Sequence, residues 1–262
     1  MTVTLTYDAT IARVQISADD TFTADYITVQ RSTPGSHWKT VRGAAELAAG
    51  SATVDDYEFM PGVVNTYRAL SYSPVDVLLG TETNTITPTI SQVWLKSIAR
   101  PFLNLPVTVQ EYSSIGRRAR AGLFEIPGRG YPVRVGDVAS SRQWSYELLT
   151  YDLTEARALE FLVASGDVAF VQVPPGFDIP GGYVSLGDMT RGRVSRPLSD
   201  VRRRFSLPVT EVAAPDPGVV GYTSTWASLI AEFGTWADVL AAFPTWADVL
   251  EYVSDPSVVV VP

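Results

Sequence analysis

The chain has 262 residues, 46% of them apolar and 18% charged, with 18 Pro, 19 Gly and no Cys. This composition excludes a disordered chain, disulfides, thiolate metal sites and cysteine nucleophiles, and its many turn formers fit short strands. The net charge of −8 is unevenly spread: residues 1–99 hold 6 basic and 10 acidic side chains, residues 100–212 hold 14 and 12, and residues 213–262 hold none and 6.

The N-terminus, Met1-Thr2-Val3-Thr4-Leu5, lacks the basic and apolar regions of a signal peptide, so the expected place of assembly is the cytoplasm. No apolar run reaches the ~20 residues that span a bilayer, so no membrane insertion is expected. Residues 1–90 read as an all-β domain. Thr2–Tyr7 and Ile11–Ile16 alternate, Tyr26–Arg31 runs into the turn Ser32-Thr33-Pro34-Gly35-Ser36, and Trp38–Val41 returns from it. Phe59, Pro61, Gly62 and Tyr67 then follow the pattern of a tyrosine corner. On those residues the domain resembles a fibronectin type III sandwich. The resemblance implies a Tyr67 hydroxyl bonded to upstream backbone. Thr81–Thr89 reads as the linker that follows.

Residues 91–212 predict a second, antiparallel β-sandwich with one packed helix. Strand candidates are Gln92–Ile98, Val107–Val109, Leu123–Ile126, Pro132–Val135, Arg142–Tyr151, Asp167–Val173, Gly181–Leu186, Met189–Arg196 and Arg203–Val212. The helix is expected over residues 153–165. Leu153, Ala156, Leu159, Phe161, Leu162 and Val163 recur close to helical spacing, Thr154 can cap the start, and Gly166 favours a left-handed stop.

Trp94-Leu95-Lys96, Arg100–Asn104, Tyr131-Pro132-Val133, Ser141–Trp144, Pro174-Pro175-Gly176, Val184–Asp188 and Arg202–Val212 come in an order that resembles minor tail proteins of long-tailed actinobacteriophages. That resemblance implies a structural virion protein of the tail tip or baseplate, assembled in the host cytoplasm. It also implies a homo-oligomeric ring around the tail axis and contacts with other phage tail proteins.

Residues 213–262 combine a Pro-containing linker, a ten-residue repeat and an apolar end. Thr225-Trp226-Ala227, Thr235-Trp236-Ala237 and Thr245-Trp246-Ala247 open three short expected helices, interrupted by Gly234 and Pro244. Each is shorter than the ~12–15 residues at which an isolated helix becomes marginal, so their apolar faces must dock on this chain or a neighbour. The Val258–Val261 run could add an edge strand to a partner sheet. Similar Thr-Trp-Ala-Asp-Val-Leu repeats mark the same phage tail proteins.

The search for chemistry returns no catalytic, cofactor-binding or metal residues. His37 is the single His, the only lysines are Lys39 and Lys96, and no Lys sits in a Gly-rich phosphate loop. Asp178 and Asp188 could flank a glycosidic bond, but a chain with 28 acids offers many such pairs. The expected protein is therefore not an enzyme. Arg191, Arg193, Arg196 and Arg202-Arg203-Arg204 suggest a nucleic-acid patch, against which stand the acidic chain and a strand alternation that sends Arg203 to the face opposite Arg204. The candidate interface residues are Trp226, Trp236, Trp246, Phe233, Phe243, Arg202, Arg203 and Arg204. A different reading is a glycan-binding accessory protein, with the three repeat Trp residues stacking on host cell-wall polysaccharide.

Overall fold

A computed structural model describes residues 1–19, 24–197, 199–215, 233 and 235–242. The protein is mainly β, built from several antiparallel sheets. Among the described residues, no helix is long and apolar enough to cross a membrane.

The N-terminal module packs two sheets. One is β1 (Thr2–Asp8), β2 (Arg13–Asp19) and β6 (Ser51–Asp56), in the order β1-β2-β6. The other runs β4-β3-β7-β8, from β4 (Lys39–Thr40), β3 (Tyr26–Ser32), β7 (Asn65–Tyr72) and β8 (Leu78–Ile86), with β5 (Leu47–Ala48) also pairing β3. Alternation sends Val14, Ile16, Ile27, Val29, Tyr67 and Ala69 into the shared core. β8 occupies most of the Thr-rich stretch expected to be a linker. It is an edge strand exposed along nearly its whole length, so it carries none of the apolar alternation that marks a half-buried strand. Thr87–Gln92 makes the connection instead, and it is held to the first module: Gly62 N–H donates to Pro88 O, and the Tyr7 hydroxyl donates to Thr89 O.

Tyr67 is fully buried, but its hydroxyl donates to Asp56 Oδ2 at 2.7 Å and not to upstream backbone as the resemblance implied. Arg31 pairs with the same carboxylate. A buried carboxylate needs partners more than a carbonyl does, and here it takes a phenol and a guanidinium together. Asn65 closes the preceding loop, accepting from Met60 N–H and donating to the carbonyls of Met60 and Val63.

The second module closes on itself. Strand β14 (Arg142–Thr150) pairs with β10 (Leu105–Tyr112) on one side and β18 (Arg203–Glu211) on the other. Around the far side run β9 (Val93–Ser97), β15 (Ala169–Gln172) and β16 (Gly182–Leu186), so the circuit is β14-β10-β9-β15-β16-β18 and back to β14. The expected sandwich is thus a six-stranded closed barrel, every neighbouring pair antiparallel. Closure removes the free edges that an open sheet would leave. Val93, Leu95, Tyr146, Leu148, Val171 and Leu207 fill its interior. Two short strands hang on the outside, β11 (Gly116–Arg117) on β14 and β17 (Thr190–Arg193) on β18.

Helix α1 (Leu153–Ala164) packs Ala156, Leu159 and Leu162 into the same core. Its N-cap is Asp152 and not Thr154. The Asp152 carboxylate accepts from Thr154 N–H and Glu155 N–H, and the Glu155 carboxylate accepts from Tyr151 N–H. This resembles a capping box, except that Glu155 reaches the residue before the N-cap, and a carboxylate also suits the positive helix start. Gly166 follows with φ +71°, the left-handed stop expected from the sequence.

Candidate interaction surfaces

Three surfaces stand out: a buried joint between the modules, a ribbon leaving the barrel, and a β-turn tip on the N-terminal module.

Strand β9 makes the joint. All five of its residues are buried, because it lies between two cores. Val93 and Leu95 point into the barrel, while Trp94 points the other way into the N-terminal core. Lys96 shares the Trp94 side and is 1% exposed. Its ammonium donates to Ala12 O at 2.6 Å and Tyr57 O at 2.7 Å, and lies 5.0 Å from the centre of the Phe59 ring. Burial pulls its pKa from 10.5 down to about 7, partly offset by the negative charges of Asp56 and Glu58 and reinforced by Arg31. Beside it, Gln172 Nε2 donates to Phe59 O at 2.5 Å and the Tyr183 hydroxyl donates to Glu58 Oε2 at 2.7 Å. Glu58 also pairs with Arg42 at 2.6 Å. Gly62, at φ +74°, lies so close to Pro175 that a Cβ there would overlap the proline ring. The amine of Lys96 is sealed from solvent, so this joint holds two modules in register and presents nothing to a substrate.

The ribbon continues the β10–β14 hairpin past the barrel. Ladder bonds persist from Gly116 opposite Gln143, through Ser140 N–H to Arg118 O and Asp137 N–H to Arg120 O. The distal strands are β12 (Ala121–Phe124) and β13 (Val133–Gly136), which pair only with each other. At about 3.3 Å per residue, the stretch from Arg118 to Ile126 reaches roughly 30 Å. Its root is pinned where Arg142 Nε and Nη2 meet the Glu211 carboxylate at 2.9 and 2.5 Å.

Cross-strand register gives the ribbon two unlike faces. Gly122 faces Val135 and Phe124 faces Val133, so these four share one face. A Cβ at Gly122 would meet Phe124 Cε2 at 2.9 Å, because the ring lies over the glycine. That face holds no charge along the ladder. The opposite face carries Leu123 beside Arg134, whose guanidinium covers Gly136 in the same way. Leu123, Phe124 and Val135 are 67%, 56% and 61% exposed, and Tyr131 at the turn is 87% exposed. Among the described residues, nothing covers them. Residues 116–141 hold five Arg against one Glu and one Asp.

The tip is the β7–β8 turn. Val75, Val77, Leu78 and Leu79 are all exposed. The turn is held by Asp76 N–H to Ser73 O and Ser73 N–H to Val77 O, while Tyr26 donates from its hydroxyl to Asp76 Oδ1 at 2.9 Å. That bond to a carboxylate, chiefly, raises the Tyr26 pKa to about 12.

The sequence-derived interface residues are scattered relative to these surfaces. Arg202 is exposed and tied to Asp200 at 2.9 Å, holding that carboxyl well below its usual range through hydrogen bonds from Arg202 and Ser195. Arg203 is half-buried and donates to the carbonyls of Asp200 and Arg202, while Arg204 turns outward. The three arginines therefore form no single patch. Phe233 is half-buried. Trp236 opens helix α2 (Trp236–Ala242), whose start is capped by Thr235: its hydroxyl accepts from Asp238 N–H at 3.3 Å and donates to Asp238 Oδ2 at 2.5 Å. Val239 of that helix is buried and Leu240 exposed. Trp226, Trp246 and Phe243 lie outside the described residues, as do the helices expected around Trp226 and Trp246 and the Val258–Val261 run.

No family's sequence model matches the chain, and no curated protein matches it. The surfaces themselves must carry the reading. Among the described residues, no three His, Asp or Glu side chains gather as a metal set. The sequence reasoning picked out Leu123–Ile126 and Pro132–Val135 as strands but missed the ribbon as a surface. The available signal was five arginines and several large apolar residues inside one Gly-rich hairpin of 26 residues.

Proposed function

We propose that this chain is a non-enzymatic structural subunit of a phage tail tip or baseplate that joins its neighbours in a ring around the tail axis. The observation that carries this reading is the ribbon. An isolated two-stranded hairpin is marginal in water, and this one holds large apolar side chains open on both faces. Such a projection is useful only if a neighbouring subunit covers it. The closed barrel gives it a rigid root, and the sealed joint at Lys96 fixes the N-terminal module relative to that root.

The strand order β1-β2-β6 against β4-β3-β7-β8 supports a fibronectin type III architecture for the N-terminal module, which in this reading faces outward. The capped helix at Trp236 supports three short helices in the C-terminal repeats, lying across a neighbouring protein. Immunogold electron microscopy of phage particles from the source culture tests the assignment. Label confined to the tail end is the expected result. Unlabelled particles, with the chain also absent from purified virions by mass spectrometry, would overturn it and favour the glycan-binding alternative.

A further inference from the structure

The ribbon and the β7–β8 tip are complementary surfaces on one chain. Each is apolar, exposed and held in a defined shape by its own hydrogen bonds. Their charges are opposite. The ribbon carries an excess of Arg, with Arg134 beside Leu123. Around the tip lie Asp25, Glu46, Asp76 and Glu82, all exposed, and residues 72–82 contain no Lys or Arg. Asp25 is joined to the tip through its N–H to Tyr72 O, and Tyr26 stacks on Tyr72 with ring centres 5.0 Å apart, giving the apolar patch an aromatic flank.

We infer that the uncharged face of the ribbon, centred on Phe124 and Val135, seats on the Val75–Leu79 tip of a second copy of this chain, with ribbon arginines beside that copy's acids. The inference rests on the ring reading and names the contact that would make the ring. Two different patches of one chain that fit each other make a head-to-tail contact, which closes into a ring when the rotation between copies divides a full turn. The opposite net charges of the two surfaces steer the encounter. The apolar centre supplies the drive, since Phe124 and Val135 give up most of their remaining water contact when covered.

The natural absence of Cys makes the test clean. Val77→Cys and Val135→Cys are made separately in the full chain, at exposed positions outside both cores. The two variants are mixed and oxidised, and the products are compared with each variant oxidised alone. The expected result is a disulfide-linked dimer in the mixture, at least several-fold above either variant alone. The variant carrying both cysteines should give a ladder that stops at the ring number. Light scattering of the unaltered chain separates the two ways of failing. Self-association without preferential cross-linking of the mixture would overturn the ribbon–tip contact and leave the ring reading standing. A chain that stays monomeric at every concentration tested would overturn both.

Discussion

The Lys96 ammonium of one module donates to the Tyr57 carbonyl of the other at 2.7 Å, a bond between the barrel wall and the loop after β6 of the sandwich. Its second bond, to Ala12 O at 2.6 Å, reaches the turn between β1 and β2. One side chain thus ties the barrel to two separate segments of the N-terminal module. Phe59 at 5.0 Å and Trp94 at 5.8 Å add aromatic faces, against which a cation is favourable even when dry.

That burial sets a pH dependence. The folded-state pKa of Lys96 is about 7 and its ordinary value is 10.5, so between those limits the unfolded chain binds more protons than the folded one. Stability from this group is therefore fully present above about 10.5 and lost as pH falls through about 7. Compared with Lys96→Met, the unaltered protein should gain stability between pH 7 and 10, measured by urea unfolding at each pH. A difference between the two proteins that stays flat over that range would show that Lys96 keeps its ordinary pKa. Tyr57 contributes to the upper end, in the same direction as Tyr26, Tyr67, Tyr146 and Tyr183, whose pKa values are also raised. Burial raises the Tyr57 pKa to about 12, so stability in both proteins should decline above about pH 10, where the unfolded tyrosine ionises and the folded one does not.

Gly62 and Pro175 provide a second handle on the joint. Gly62→Ala places a side chain at φ +74° and drives its Cβ into the proline ring. The left-handed backbone alone costs about 1–2 kcal/mol for an L-residue, and the overlap adds to it. Pairing Gly62→Ala with Pro175→Ala should recover the overlap but not the backbone cost. Thermal unfolding of the two single variants and the double variant reads this directly, and the cycle should show positive coupling. Additive losses would mean the two residues do not touch in solution.

Tyr67→Phe removes the phenol that donates to Asp56 Oδ2 at 2.7 Å. The carboxylate stays buried and keeps Arg31, but one acceptor site loses its partner. A loss of about 1–3 kcal/mol is expected, without change in the denaturant slope. Tyr67→Phe combined with Asp56→Asn tests the same bond. If the bond matters, the second change should cost less in the Phe background than alone.

Several of these elements could be read in the chain before any coordinates, and the reasons differ. Strands β9, β14, β15 and β18 and helix α1 are legible because each buries a strong apolar period in one core. Gly166 is legible because a helix stop at positive φ selects glycine. β8 was not, since an exposed edge strand of Thr, Glu and Asn looks like a linker. The Tyr67 partner was not legible either, because choosing between backbone carbonyl and Asp56 needs the loop's path. Barrel closure depends on β14 pairing with two strands at once, and no local pattern encodes a second edge. The ribbon failed for a related reason: its apolar residues look like core until their partner strand proves to be alone.

Excising the ribbon separates folding from assembly. Replacing residues 118–140 with a short turn between Arg117 and Ser141 leaves the Gly116–Gln143 pairing and the Arg142–Glu211 ion pair at the root. None of the residues that line either core lies in the excised stretch. The shortened protein should therefore unfold cooperatively, with a midpoint within a few degrees of the full chain's, and with less exposed apolar surface to bind a hydrophobic dye. It should also sediment as a monomer under conditions where the full chain associates, because the apolar face that drives assembly is gone. An excised protein that still assembles would move the contact to the barrel wall or to the C-terminal repeats. One that loses cooperative unfolding would make the ribbon part of the barrel's own support, acting through the strands β10 and β14 that it extends.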